Sequence, residues 1–261
     1  MDAIQIGPVA LSWARAQVAL ALLALVLVAE AYARRHDRRL SAWAWNAVLL
    51  GLLAARLAFV LRHAALYAQD PLSVLYVWQG GFDAWAGVAA GGVYTLMALP
   101  KNLWRYALLA AAVAGLVYGL VSQRRPQEAR LPNLTLERLG GGSVELRAFL
   151  GKPLVVNAWA TWCPPCRREL PMLLKVAERT PEVRFVFVSQ GEAPETVRRF
   201  LEAQGLAMEW PLLDPSTRLS EALGVQGLPT TFFFDREGRL VLRHMGELSE
   251  ALLMDYLRAL R

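Results

Sequence analysis

Two cysteines, Cys163 and Cys166, are the only ones in 261 residues. They stand as Cys-Pro-Pro-Cys between an apolar run, Leu154 to Trp159, and a helix-forming stretch. Two intervening residues let both sulfurs sit in one helical turn and close a small disulfide ring. The order of apolar run, CxxC and helix formers predicts a strand, a tight turn and a helix N-terminus with Cys163 at its mouth. Main-chain N–H groups and the positive end of the helix dipole favour a thiolate there. Cys163 is then the attacking and the leaving sulfur in thiol–disulfide exchange. A structural zinc site takes four ligands. No second CxxC exists, and of the histidines His36, His63 and His244 the first two lie in a different segment of the chain. A purely structural disulfide across a two-residue loop restrains little of the unfolded chain. No metal and no bound cofactor is expected; the redox group is the cysteine pair itself.

The charge divides the chain. Residues 1–130 carry 12 Lys and Arg against 6 Asp and Glu, whereas residues 131–261 carry 16 of each. The basic pI of 9.7 therefore belongs to the first half and gives no argument for nucleic acid. A polar, proline-flanked stretch from Ser122 to Pro132 separates the two compositions. These features define a membrane domain at 1–121, a linker at 122–130 and a second domain at 131–261.

The first half is apolar over lengths that suit a bilayer, whose core takes about 20 helical residues. Four spans are expected: Ala14–Ala33, Ala42–Leu61, Ala84–Leu99 and Tyr106–Val121, of which the third, Gly- and Ala-rich, carries the weakest signal. The first lacks an early basic region and is followed by further spans, so it reads as retained rather than as a cleaved signal. Arg34, Arg35, Arg38 and Arg39 lie between spans one and two, and Lys101 and Arg105 between spans three and four. Placing these six inside puts both termini outside. Arg124, Arg125 and Arg130 then lie outside, against the trend. A three-span count would reverse the relation between the termini.

The stretch Asn157-Ala-Trp-Ala-Thr-Trp-Cys-Pro-Pro-Cys-Arg-Arg-Glu-Leu-Pro171 resembles the thioredoxin superfamily, and within it the membrane-anchored TlpA-like thiol-disulfide oxidoreductases. The resemblance runs from Leu131 to the C-terminus. Leu228-Pro229-Thr230-Thr231 before Phe232-Phe233-Phe234-Asp235 is similar to the family's cis-proline loop and following strand, Pro171 falls where the family kinks its active-site helix, and Val183 to Val225 is similar to its strand, extra helix and "LLDP" connection. The resemblance implies that Pro229 packs against the disulfide and helps present an incoming peptide, and that Trp162 flanks the cysteines and shapes the docking surface. Cys166 must lose a proton to resolve a mixed disulfide. In thioredoxins a buried aspartate six residues before the first cysteine serves this purpose; here that position is Asn157, and an amide cannot take a proton. Glu169, one helical turn after Cys166 and on its face, is the replacement that the resemblance implies. The alternative for Glu169 is a solvated place beside Arg167 and Arg168.

The membrane half is similar to bacterial prolipoprotein diacylglyceryl transferases in Ile6-Gly-Pro-Val-Ala-Leu-Ser-Trp13, Ala55-Arg-Leu-Ala-Phe-Val-Leu61, Asp70-Pro-Leu72 and Val77-Trp-Gln-Gly-Gly81. It departs from them where they carry a histidine in an "SFHGG" run: the corresponding stretch is Asp83-Ala-Trp85-Ala-Gly87, with Trp85 at the histidine's place. The later "NGELWG" signature is absent, because the chain turns into the linker. This half therefore reads as a truncated, degenerate scaffold without transfer activity. Arg56, inside span two, is a candidate functional charge, with snorkelling or pairing as the alternative. A lipid- or partner-binding groove is a further possibility for this half.

The expected architecture is helical in the membrane and α/β thioredoxin-like outside it. A hairpin at Leu134–Leu136 and Val144–Leu146 leads, strands at 155–159, 183–188, 231–235 and 240–243 form the sheet, and helices run over 165–179, 194–204 and 249–260. The expected function is a multi-pass enzyme of the bacterial inner membrane whose C-terminal domain reduces protein disulfides in the periplasm, apocytochrome cysteines among the clients. The membrane half has no cysteine, so a separate membrane thiol conduit must be the electron donor. The same site run as a thiol oxidase, and a non-catalytic scaffold that binds lipoprotein precursors, are the alternatives.

Overall fold

The computed structural model describes residues 3–6, 9–122 and 129–260. The chain forms two compact units. The first runs to residue 122 apart from Tyr76–Gly80; the second combines Tyr76–Gly80 with residues 129–260. Most of the 122–130 linker lies outside the described residues.

The first unit opens with an antiparallel pair, β1 (Ala3–Ile6) and β2 (Val9–Ser12). Helices α1 (Trp13–Ala33), α2 (Arg39–Arg62), α3 (Ala64–Tyr67), α4 (Ala84–Ala98) and α5 (Trp104–Ser122) follow. Among the described residues three helical stretches are long and apolar enough to cross a membrane, and they coincide with the first, second and fourth expected spans. The third corresponds to α4, which has 15 residues. At 1.5 Å per residue it reaches about 22 Å, short of a core of about 30 Å. Small residues let α4 approach α2 closely: a Cβ placed on Gly87 would lie 3.0 Å from the Gly51 carbonyl oxygen.

Arg56 is buried on α2. Its guanidinium donates to the carbonyls of Ser73 (3.0 Å), Val74 (3.1 and 3.0 Å) and Gly81 (3.0 Å), and lies over the Tyr67 and Phe82 rings. The pairing alternative describes this residue: it fastens the chain between α3 and α4. Asp83 caps α4 by accepting from Ala86 N at 3.0 Å and forms an ion pair with Arg62. Trp85, in the first turn of α4, is 85% exposed.

The second unit is built on a seven-stranded sheet of order β4-β3-β7-β6-β5-β8-β9. Its strands are β3 (Thr135–Arg138), β4 (Ser143–Glu145), β5 (Leu154–Trp159), β6 (Arg184–Gln190), β7 (Pro211–Asp214), β8 (Thr230–Phe234) and β9 (Leu240–Met245). β5, β6 and β7 run parallel; β8, β9 and the β3–β4 hairpin complete the sheet antiparallel. The helices are α6 (Pro164–Arg179), α7 (Pro194–Gln204), α8 (Arg218–Leu223) and α9 (Glu250–Ala259).

Alternation along the strands sorts the core into two faces. Leu154, Val156 and Ala158 of β5 join Val186, Val188, Phe232, Phe234, Leu219 and Leu223 on one face. Val155 and Trp159 join Phe187, Phe233, Leu170, Leu173, Val197, Leu253 and both cysteines on the other. Asn157 shares the parity of Val155 and Trp159, so β5 presents one polar side chain to the face that carries the cysteines.

The sequence expectation placed the strands and helices of this unit to within one or two residues, except in two places. The "LLDP" segment is not only a connection: Pro211–Asp214 is a strand between β3 and β6. A short helix, α8, follows it.

Candidate active site

β5 delivers the chain to the sheet's C-terminal edge, and α6 begins directly after the first cysteine. Cys163 is the N-cap residue of α6, with extended backbone and Pro164 at the first helical position, where a missing N–H costs nothing. Its sulfur accepts from Cys166 N at 3.3 Å, and the two cysteines are joined as a disulfide. Cys166 is fully buried and Cys163 is 2% exposed, both within the apolar cluster that includes Trp159, Ala160 and Leu170. Trp162 is 68% exposed beside them. The Leu228–Pro229 peptide is cis, Pro229 is buried, and its carbonyl accepts from Gly246 N at 2.9 Å. Pro171 lies inside α6.

Glu169 does not take the solvated place; it is 2% exposed. Its Oε1 accepts from Asn157 Nδ2 at 3.0 Å and its Oε2 from Leu248 N at 2.9 Å. Burial pushes its carboxyl up to about 8. The Leu248 N–H and the Asn157 amide pull it down, and the nearby Glu247 charge pushes it up. Arg168, by contrast, points outward and pairs with Glu247 through both Nε (3.0 Å) and Nη2 (2.7 Å). Glu247 Oε1 accepts from Gln79 Nε2 at 2.9 Å in the same unit. Arg167 lies over the Phe200 ring.

Sequence reasoning passed over three contributors. Asn157, set aside as unable to carry a proton, donates to Glu169 and also to Thr231 Oγ1 at 2.9 Å. Thr231 sits opposite it in the β5–β8 register. Glu192, after β6, accepts from Thr161 N (2.9 Å), the Thr161 hydroxyl and Ser189 Oγ (2.8 Å). It thereby holds the segment that leads into Cys163. The signal for Asn157 was available: it is a polar residue on the inward parity of a strand that is otherwise apolar. Among the described residues no cluster of three or more His, Cys, Asp or Glu could hold a metal.

A cysteine pair at the start of a helix, one turn from a buried carboxyl, can carry dithiol–disulfide exchange. The family model described as Redoxin matches residues 126–257, just over half of the sequence. The chain belongs to the redoxin family. A thiol-disulfide oxidoreductase ResA from Halalkalibacterium halodurans is 34% identical over 49% of this chain and 74% of its own length. The ResA of Bacillus subtilis is 32% identical over 50% of this chain and 73% of its own length. Among solved structures, the pneumococcal exposed lipoprotein thioredoxin Etrx1 from Streptococcus pneumoniae is 28% identical, with 49% of this chain and 99% of that one covered at a TM-score of 0.43. On the family match and the two ResA relatives, the redoxin unit is a thiol-disulfide oxidoreductase domain. The model described as prolipoprotein diacylglyceryl transferase matches residues 1–125, ahead of the redoxin match.

Proposed function

We propose that this redoxin is a membrane-anchored, extracytoplasmic disulfide reductase, with Cys163 as nucleophile, Cys166 as resolving thiol and Glu169 as proton carrier. The observation that carries the direction is the burial of both sulfurs among apolar side chains. A helix N-terminus favours a thiolate, but among the described residues one N–H is hydrogen-bonded to Cys163 Sγ, and it is at 3.3 Å. Burial without further donors disfavours the charged thiolate and so favours the disulfide, which makes the reduced pair a good electron donor. Trp162 and Pro229 are read as part of the surface that meets the client. The chain's only cysteines are this pair, so a membrane thiol conduit is read as the donor that restores the dithiol. The reduction potential decides between reductase and oxidase. Equilibrated against glutathione and trapped with an alkylating agent, the full chain should titrate nearer the thioredoxin value of about −270 mV than the about −120 mV of a strong periplasmic oxidant. A value near the latter would reverse the direction.

The topology reading places both termini outside the inner membrane, with α4 completing an even number of membrane segments. A phosphatase reporter active only outside the cytoplasm should work when fused after Arg261 and fail when fused after Asp37. An inactive C-terminal fusion made in good yield would contradict both the even count and the exported redox centre.

The transferase-like half is read as an anchor that has kept its family's frame without its chemistry. Purified full-length protein should transfer no diacylglyceryl group from phospholipid to a lipoprotein-precursor peptide, because Trp85 stands at the histidine's place. Transfer that depends on this chain would remove the scaffold reading.

A further inference from the structure

Glu169, Asn157 and Thr231 form a closed polar row on the cysteine-bearing face of the sheet, and one atom in it is left over. Asn157 Nδ2 serves both neighbours, Glu169 Oε1 at 3.0 Å and Thr231 Oγ1 at 2.9 Å. Among the described residues Asn157 Oδ1, although fully buried, has no hydrogen-bond partner. An unpaired buried carbonyl oxygen is destabilising, so the arrangement calls for a reason. A carboxamide is a donor at one end and an acceptor at the other, and a half-turn about its terminal bond exchanges the two. Thr231 can follow that exchange, since a hydroxyl both donates and accepts.

We propose that Asn157 positions Glu169 at both ends of its proton transfer by turning its carboxamide. Nδ2 faces Oε1 while Glu169 is a carboxylate, and Oδ1 faces it once Glu169 is a carboxylic acid. This rests on the reading of Glu169 as the proton carrier. In the resolving step the Cys166 thiol gives its proton to the Glu169 carboxylate. The Cys166 thiolate then attacks Cys163 Sγ, the Cys163–client bond breaks, and the client leaves as a thiolate that takes a proton from solvent. Glu169 passes from acceptor to donor within that step, and its neighbour must change sense with it. With the amide turned, Oδ1 accepts from the Glu169 O–H and from the Thr231 hydroxyl, and Nδ2 takes over the unpaired position. Each orientation leaves one polar atom over, so the turn itself costs little. An ionised aspartate at this place would offer acceptors only and add a second buried negative charge; an apolar residue would serve neither state. The other titratable or charged groups around the row are Cys163, Cys166 and Arg168 on or at α6, Glu247 before α9, and His244, which faces Thr231 across β8–β9 and is hydrogen-bonded to Tyr256.

The test measures the two steps separately. Full-length protein in detergent reacts with a disulfide peptide in stopped flow from pH 5 to 9.5, as wild type, Asn157→Leu, Thr231→Val and Glu169→Gln. Asn157 bonds both forms of Glu169 and the bond to the charged form is the stronger, so the midpoint of the resolving step in Asn157→Leu should move upward by their difference, about one pH unit, with the first attack by Cys163 unchanged. Thr231→Val keeps the amide and should move the midpoint the same way by less, which holds the test open if the Leu variant fails to fold. Asparagine-selective 15N labelling gives a second readout, because the chain has only four asparagines, Asn46, Asn102, Asn133 and Asn157. One side-chain NH2 pair should shift with the Glu169 midpoint and stay fixed in Glu169→Gln. If Glu169→Gln moves the resolving profile while both row variants overlay the wild type, or if no asparagine NH2 signal follows Glu169, the role of Asn157 is overturned and that of Glu169 stands. If Glu169→Gln itself overlays the wild type, both fall.

Discussion

Cys163→Ser should reduce dithiol exchange to the background rate, and Cys166→Ser should instead arrest it half-way. The two outcomes differ because the cysteines hold different positions. Cys163 caps α6 next to exposed Trp162, whereas Cys166 is wholly buried one turn in. In the full reaction a client disulfide gains two electrons and becomes two thiols, while the enzyme's two thiols become the Cys163–Cys166 disulfide. Without Cys163 the first covalent bond cannot form. Without Cys166 it forms and persists, so thiol-sensitive adducts should accumulate on non-reducing gels of cells that carry Cys166→Ser. An absence of adducts in that variant, while the wild type turns over, would invert or remove these roles. Replacing both cysteines also addresses the scaffold alternative, since only a scaffold would keep its cellular effect.

Glu169→Gln should flatten the pH dependence of the redoxin unit's stability and shift that of its resolving step. In the oxidised fold this carboxyl titrates near 8, against 4.5 when unburied. The folded state therefore binds its proton more tightly than the unfolded chain between those values. Stability is fullest below about 4.5 and declines as pH rises toward 8, the reverse of a salt-bridged carboxylate. A shift of that size corresponds to a stability loss on the order of 4 kcal/mol across the window. Hydrogen exchange of the β5 and β8 amides at pH 5 and pH 8.5, corrected for intrinsic rates, should show this loss in the wild type. The nearly isosteric glutamine should remove most of it. The resolving step should slow and its pH dependence shift in the same variant, while the Cys163 attack is less affected. A wild-type opening energy that is equal at the two pH values would return Glu169 to an ordinary buried acid.

The parts of this structure that the sequence disclosed were those set by near neighbours in the chain. Apolar Leu154–Trp159, Pro164 after the capping cysteine and the amphipathic run beyond it specify strand, turn and helix without help from elsewhere. Glu169 was found because its place relative to Cys166 is a helical spacing. Pro211–Asp214 was missed as a strand because four residues that begin with proline carry little strand signal; pairing with β3 and β6 decides it. The environment of Glu169 was half legible. Its face was evident, but the Leu248 N–H and the Asn157 amide that share it arrive from 79 and 12 residues away. In the membrane half, the length of each apolar run forecast three long helices. The Gly-rich third run gave a shorter helix, and the Gly51–Gly87 approach that seats it against α2 has no local signature.

The alternation along β5 ties the chemistry to odd and even counting. Asn157 reaches Glu169 only because it is in step with Val155 and Trp159. Deleting one residue between Pro153 and Asn157 would move the amide into the fully apolar opposite layer and bring an aliphatic side chain up to Glu169. The same deletion in the Gly140-Gly141-Gly142 turn, where an added Cβ meets nothing within 4 Å, would alter only the tip of a hairpin. Tolerance to insertions and deletions should therefore fall steeply within this one strand. A reading-frame-preserving indel scan of the redoxin unit would find its sharpest minimum there.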